Sequence, residues 1–140
     1  MSKTEKPKSI PVASIKSLGG IAPQFDLAVS VPRLDGTAVE LRLRGKGMRK
    51  SEWVALRDQH LQELKGNDQP VADAEFSFAR LIGERTQEAS ELVCKGLAGW
   101  DLEDPFTPAS LIELEDVLPG AINAILSAYD GALFHGRLGN

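Results

Sequence analysis

Apolar and polar residues alternate from Gln24 onward. Phe25, Leu27, Val29 and Val31 are separated by polar or small residues, and Val39, Leu41 and Leu43 by Glu40, Arg42 and Arg44. A period of two marks strands with one buried face, so the spacing predicts a β-hairpin joined at Leu34-Asp35-Gly36. The Asp-Gly pair supplies the positive φ that a tight turn needs. Pro32 has no amide hydrogen and suits an edge or bulged position better than a central one. Two strands alone are marginally stable, so their apolar face must lie against helices or against strands of a neighbouring subunit.

Helical spacing follows. From Ser51 and Glu52, the residues Trp53, Leu56, His60, Leu61 and Leu64 share one face, and Gly66-Asn67 ends the run. A longer helix is expected over 72–95, with Phe78, Leu81, Ile82, Ala89, Leu92 and Val93 on its apolar stripe and Arg80, Glu84, Glu88 and Glu91 mostly outside; Gly96 closes it. Thr107 caps a third helix, with Pro108 at the first helical position and Leu111, Ile112 and Leu114 apolar; Pro119 breaks it. A fourth, from Ala121 to about His135, repeats apolar residues at Ile122, Ile125, Leu126, Tyr129 and Leu133. The expected fold is therefore α+β, an N-terminal β-hairpin packed against about four helices in a single domain over 23–140. Residues 1–22, rich in Lys, Ser, Pro and Gly without sustained periodicity, read as a flexible leader.

Composition narrows the classes. The chain has 140 residues, 42% of them hydrophobic and 26% charged, and no apolar run approaches the roughly 18 residues of a membrane span. The leader's lysines precede no continuous apolar segment, so no secretory signal is read and a cytoplasmic location is expected. The net charge of −4 conceals a polarity: residues 1–57 hold 11 Lys or Arg against 5 Asp or Glu, whereas residues 58–140 hold 5 against 15. Such asymmetry steers a complementary partner or simply reflects differing solvated faces.

Candidate chemistry is sparse. The single cysteine, Cys94, has no partner for an internal disulfide and reads as a packing residue beside Val93. His60 and His135 fall on different expected helices without a carboxylate or second histidine at ligand spacing, so no metal is expected. Gly45-Lys46-Gly47 lacks the rest of a phosphate-binding loop. Arg42, Arg44, Lys46, Arg49 and Lys50 form the one basic concentration, but without interleaved aromatics it does not indicate nucleic acid. Asp101, Glu103 and Asp104 lack the order of a calcium loop. Trp100 and Phe106 flank that acidic turn and are expected to clamp it onto the core, with partner docking as the sharper alternative. No catalytic residue and no cofactor is expected.

The order of parts in the last forty residues does carry information: Trp100 at an acidic turn, Phe106-Thr107-Pro108 opening a helix, Leu118-Pro119-Gly120 breaking it, and an amphipathic helix around Tyr129 before a terminal Gly-Asn. That order resembles the tail assembly chaperones of long-tailed bacteriophages. The resemblance covers residues 24–140, with its specificity in Gly99 to Tyr129 and in Asn140. It implies a non-catalytic chaperone that keeps the long tape measure protein soluble in the bacterial host while tail tube subunits are recruited, acting on proteins and not on nucleic acid or membrane, with homo-oligomerisation left open. Trp100, Phe106 and Tyr129 are the partner-binding candidates. A structural tail component retained in the virion, or a host adaptor or regulatory protein, are the alternatives.

Overall fold

A computed structural model describes residues 9–67 and 77–138. The first eight residues, the start of the second expected helix at 72–76 and the terminal Asn140 lie outside them. After a short 3-10 helix at Ile15–Leu18, the element order is β1 (Gln24–Pro32), β2 (Ala38–Lys46), α1 (Lys50–Asn67), α2 (Phe78–Gly96), β3 (Leu97–Trp100), α3 (Pro108–Val117) and α4 (Ala121–His135). The expected α+β architecture is present, a hairpin with four helices, and the sheet gains a third strand.

β1 and β2 pair antiparallel in the register that alternation requires, with Leu27 opposite Leu43, Val29 opposite Leu41 and Val31 opposite Val39. Leu27, Val29, Val31, Leu41 and Leu43 are buried, while Asp26, Ser30, Glu40 and Arg42 face outward. The connecting turn closes with Arg33 N–H donating to Thr37 O and Gly36 N–H donating to Arg33 O. Only Gly36 adopts positive φ there, at +90°; Asp35 instead accepts from the Thr37 amide and hydroxyl through its carboxylate. Those two bonds hold the Asp35 carboxyl below its ordinary pKa.

β3 escaped the alternation pattern because it is four residues long and half of it is Ala98-Gly99. It pairs antiparallel with β2, Leu43 facing Trp100 and Gly45 facing Leu97, with a bulge between Arg44 and Gly45. Gly45 and Gly47 are required by close approach: a Cβ on Gly45 would sit 2.5 Å from the Phe25 ring, and one on Gly47 would sit 1.5 Å from the Ala22 carbonyl oxygen. The Gly-Lys-Gly segment is therefore a packing feature, with Gly47 N–H donating to Pro23 O.

The start of α3 follows its sequence signal, whereas α2, expected over 72–95, begins at Phe78 because Ser77 is extended and caps it. Ser77 caps α2 and Thr107 caps α3 through side-chain oxygens that accept from Arg80 N and Ser110 N, and Pro108 occupies the first position of α3. Gly120, at φ +91°, opens α4 without a side-chain cap of its own. Glu115 fills that role from α3, its two carboxylate oxygens accepting from Gly120 N at 2.7 Å and Ile122 N at 2.9 Å. A carboxylate on the positive end of a helix is favourable, and here it also fixes the angle between α3 and α4.

Two expected stripes are only partly buried. Trp53, in the first turn of α1, is fully buried, as are Ser90, Leu92, Val93 and Gly96 at the far end of α2. Leu61, Phe78 and Ile82 were expected on buried faces but are 49%, 73% and 57% exposed. The sheet and α4 cover only the start of α1 and the end of α2, so burial fades toward the opposite tips of this helical pair.

Candidate functional site

The centre of the molecule is an aromatic cluster built from three separate elements. The Phe25 ring of β1 stacks on Tyr129 of α4, with centroids 5.8 Å apart, and Trp53 of α1 meets Tyr129 edge-on at 4.6 Å. Tyr129 donates its hydroxyl to Lys46 O at 2.6 Å, and Lys46 Nζ donates to Cys94 O. Beside it, Asp130 accepts from Trp53 Nε1 and from Arg57, both at 2.7 Å, one bond on each carboxylate oxygen. Burial, reinforced by Glu52, pushes the Tyr129 phenol up to about 12. Burial also raises the Cys94 thiol, which disfavours its nucleophilic thiolate.

Of the three residues singled out in the sequence, Tyr129 thus lies wholly inside. Trp100 is 7% exposed, meets Phe106 edge-on at 5.0 Å and donates Nε1–H to Asp104 O at 2.8 Å, so the pair clamps the acidic turn onto the fold. Phe106 is the partly exposed member. The structure brings Trp100 and Phe106 together and keeps Tyr129 in the separate cluster.

The basic residues are largely engaged within the chain. Arg44 pairs with Asp101 at 3.1 Å, Arg42 with Glu40 at 3.5 Å, and Lys50 donates to Phe134 O. Among the described residues, no group of three or more His, Cys, Asp or Glu side chains is placed to hold a metal ion, and no single helix is long and apolar enough to cross a membrane.

A surface feature that the sequence did not flag lies on the helical pair. An open cleft of about 320 Å³ forms where α1, α2 and α4 meet Glu115 of α3. Leu64, Ala89, Ile122 and Leu126 give it an apolar wall, while Arg57, His60, Arg85, Thr86, Glu115 and Asn123 line it with polar groups of both charges. Burial, aided by the nearby Arg57 charge, lowers the His60 pKa, so its imidazole favours the neutral form. Val54 and Leu61 of α1, with Phe78 and Ile82 of α2, expose further apolar surface on the same two helices. Stripes at helical spacing signalled Leu61, Phe78 and Ile82 but not Val54, and spacing alone does not tell a covered face from an open one.

No curated protein and no solved structure matches the chain. A family model described as phage tail assembly chaperone matches residues 12–140, nearly the whole length, including the sheet, the cleft and the Trp100–Phe106 clamp. The chain belongs to the phage tail assembly chaperone family.

Proposed function

We propose that this protein binds the tape measure protein in the bacterial cytoplasm, keeps it soluble and helps recruit tail tube subunits, without catalysing a reaction. Family membership supports the tail assembly role. The observation that carries the client reading is the α1–α2 pair, which leaves Val54, Leu61, Phe78 and Ile82 exposed on the two helices that also line an open cleft. Amphipathic helices dock into such surfaces through apolar residues three or four positions apart. Phe106, half-buried beside Trp100, is a second contact candidate, whereas Trp100 and Tyr129 support the fold from within.

Co-expression with the tape measure protein, followed by pull-down and a measurement of soluble client, tests this reading. Soluble client retained in a complex, with the chaperone missing from finished particles, supports it. Absence of binding together with recovery of the chain in purified particles favours a structural tail component instead.

A further inference from the structure

The two edges of the sheet differ. β3 ends it on one side with four residues and a bulge, a blunt edge that resists extension. β1 ends it on the other with nine residues and an unbroken register against β2. Paired strands use alternate residues for their shared hydrogen bonds. The bonds at the two ends of the hairpin, Arg33 N–H to Thr37 O and Gly47 N–H to Pro23 O, assign that duty to the odd-numbered residues of β1. The amides and carbonyls of Gln24, Asp26, Ala28 and Ser30 therefore point away from β2, and no backbone hydrogen bond among the described residues reaches them. Pro32 is the next outward position, so its missing amide hydrogen leaves the hairpin ladder intact and marks where the available edge stops.

We infer that this edge pairs with the same edge of a second copy, joining two three-stranded sheets into one of six strands about a two-fold axis. Even-numbered residues must oppose even-numbered ones, because only they present outward backbone groups. That parity keeps Leu27, Val29 and Val31 of both copies on the helix-covered face, so neither core is exposed. Centring the axis on Ala28 uses the edge most fully. Ala28 then opposes its own copy, Asp26 opposes Ser30, and Gln24 donates to the Pro32 carbonyl, giving roughly eight intermolecular hydrogen bonds. The strand is compatible with itself in this register: a small residue lies on the axis and each Asp26 faces a serine hydroxyl rather than another carboxylate.

Sedimentation equilibrium of the whole chain, from about 1 to about 200 micromolar, tests the inference. A dimer is expected. Ala28→Pro removes an outward amide hydrogen without touching the β1–β2 ladder, and Ala28→Lys sets two like charges opposite one another across the axis. Each should raise the dimer dissociation constant at least about tenfold while circular dichroism stays native. Slow amide exchange at Asp26, Ala28 and Ser30 in the dimer, lost in the Lys variant, locates the contact at this edge. Should the proline variant fail to fold, the lysine variant decides. A native chain that is monomeric throughout the range, or a dimer that survives the lysine substitution, overturns the inference.

Discussion

Tyr129 shows how much of this molecule is set by single side chains. Its hydroxyl reaches the Lys46 carbonyl at 2.6 Å while its ring touches Phe25 and Trp53, so it ties β2 and α1 to α4. The phenol's folded value of about 12 lies above the ordinary 10.0, so in the unfolded chain it ionises first. Between those values the unfolded state binds fewer protons, and stability must fall as pH rises from about 10 toward 12. The chain has one tyrosine, so phenolate absorbance reports this group alone. Titration in native buffer should show phenolate only near pH 12 or together with alkaline unfolding, and in strong denaturant near pH 10. Native phenolate forming at the ordinary value, with the fold intact, would contradict the sealed hydroxyl.

Among the elements, the α3–α4 corner depends on a contact made at a distance in sequence. Leu118-Pro119-Gly120 stops one helix but does not by itself fix the direction of the next, and Glu115 supplies the missing constraint by accepting two amide hydrogens at the start of α4. Glu115→Ala should lower stability by about 1 kcal/mol, the usual cost of losing a helix cap. Denaturant titration measures this, and Glu115→Gln, which retains one acceptor oxygen, should fall between the two. The break at Pro119 and the Thr107-Pro108 start were legible in the sequence because they are local backbone chemistry. The hairpin was legible because its two faces differ in polarity at every step. β3 was not, since Leu97–Trp100 is too short to show a period and is a strand only because β2 offers it an edge. The α1 and α2 stripes gave the helices but not their coverage: Leu61 and Ile82 repeat as buried residues do, yet they stay about half exposed. The same limit applied to the aromatic candidates, where residue type suggested contact but tertiary placement put Tyr129 and Trp100 inside.

On the scale of the whole molecule, Phe78 and Ile82 lie at the end of α2 opposite its buried residues Ser90, Leu92, Val93 and Gly96, so stability and binding at that end are separable by substitution. Trp100→Ala removes a nearly buried ring, its contact with Phe106 and its bond to Asp104, and should cost about 3–5 kcal/mol. Client binding would then be lost only as the protein unfolds. Phe78→Ser combined with Ile82→Ser acts on side chains that are mostly in solvent, so the thermal midpoint should move little. If the open end of the helical pair receives the tape measure protein, that double variant should solubilise the client at least about tenfold less efficiently, a loss of about 1.4 kcal/mol in binding, while remaining folded. The measurements are a thermal melt beside a client pull-down at equal chaperone concentration. Unchanged client retention by a folded double variant would move the binding surface away from α2, toward the Phe106 side of the molecule, whereas selective loss with Trp100→Ala in a stable protein would make the clamp itself the contact.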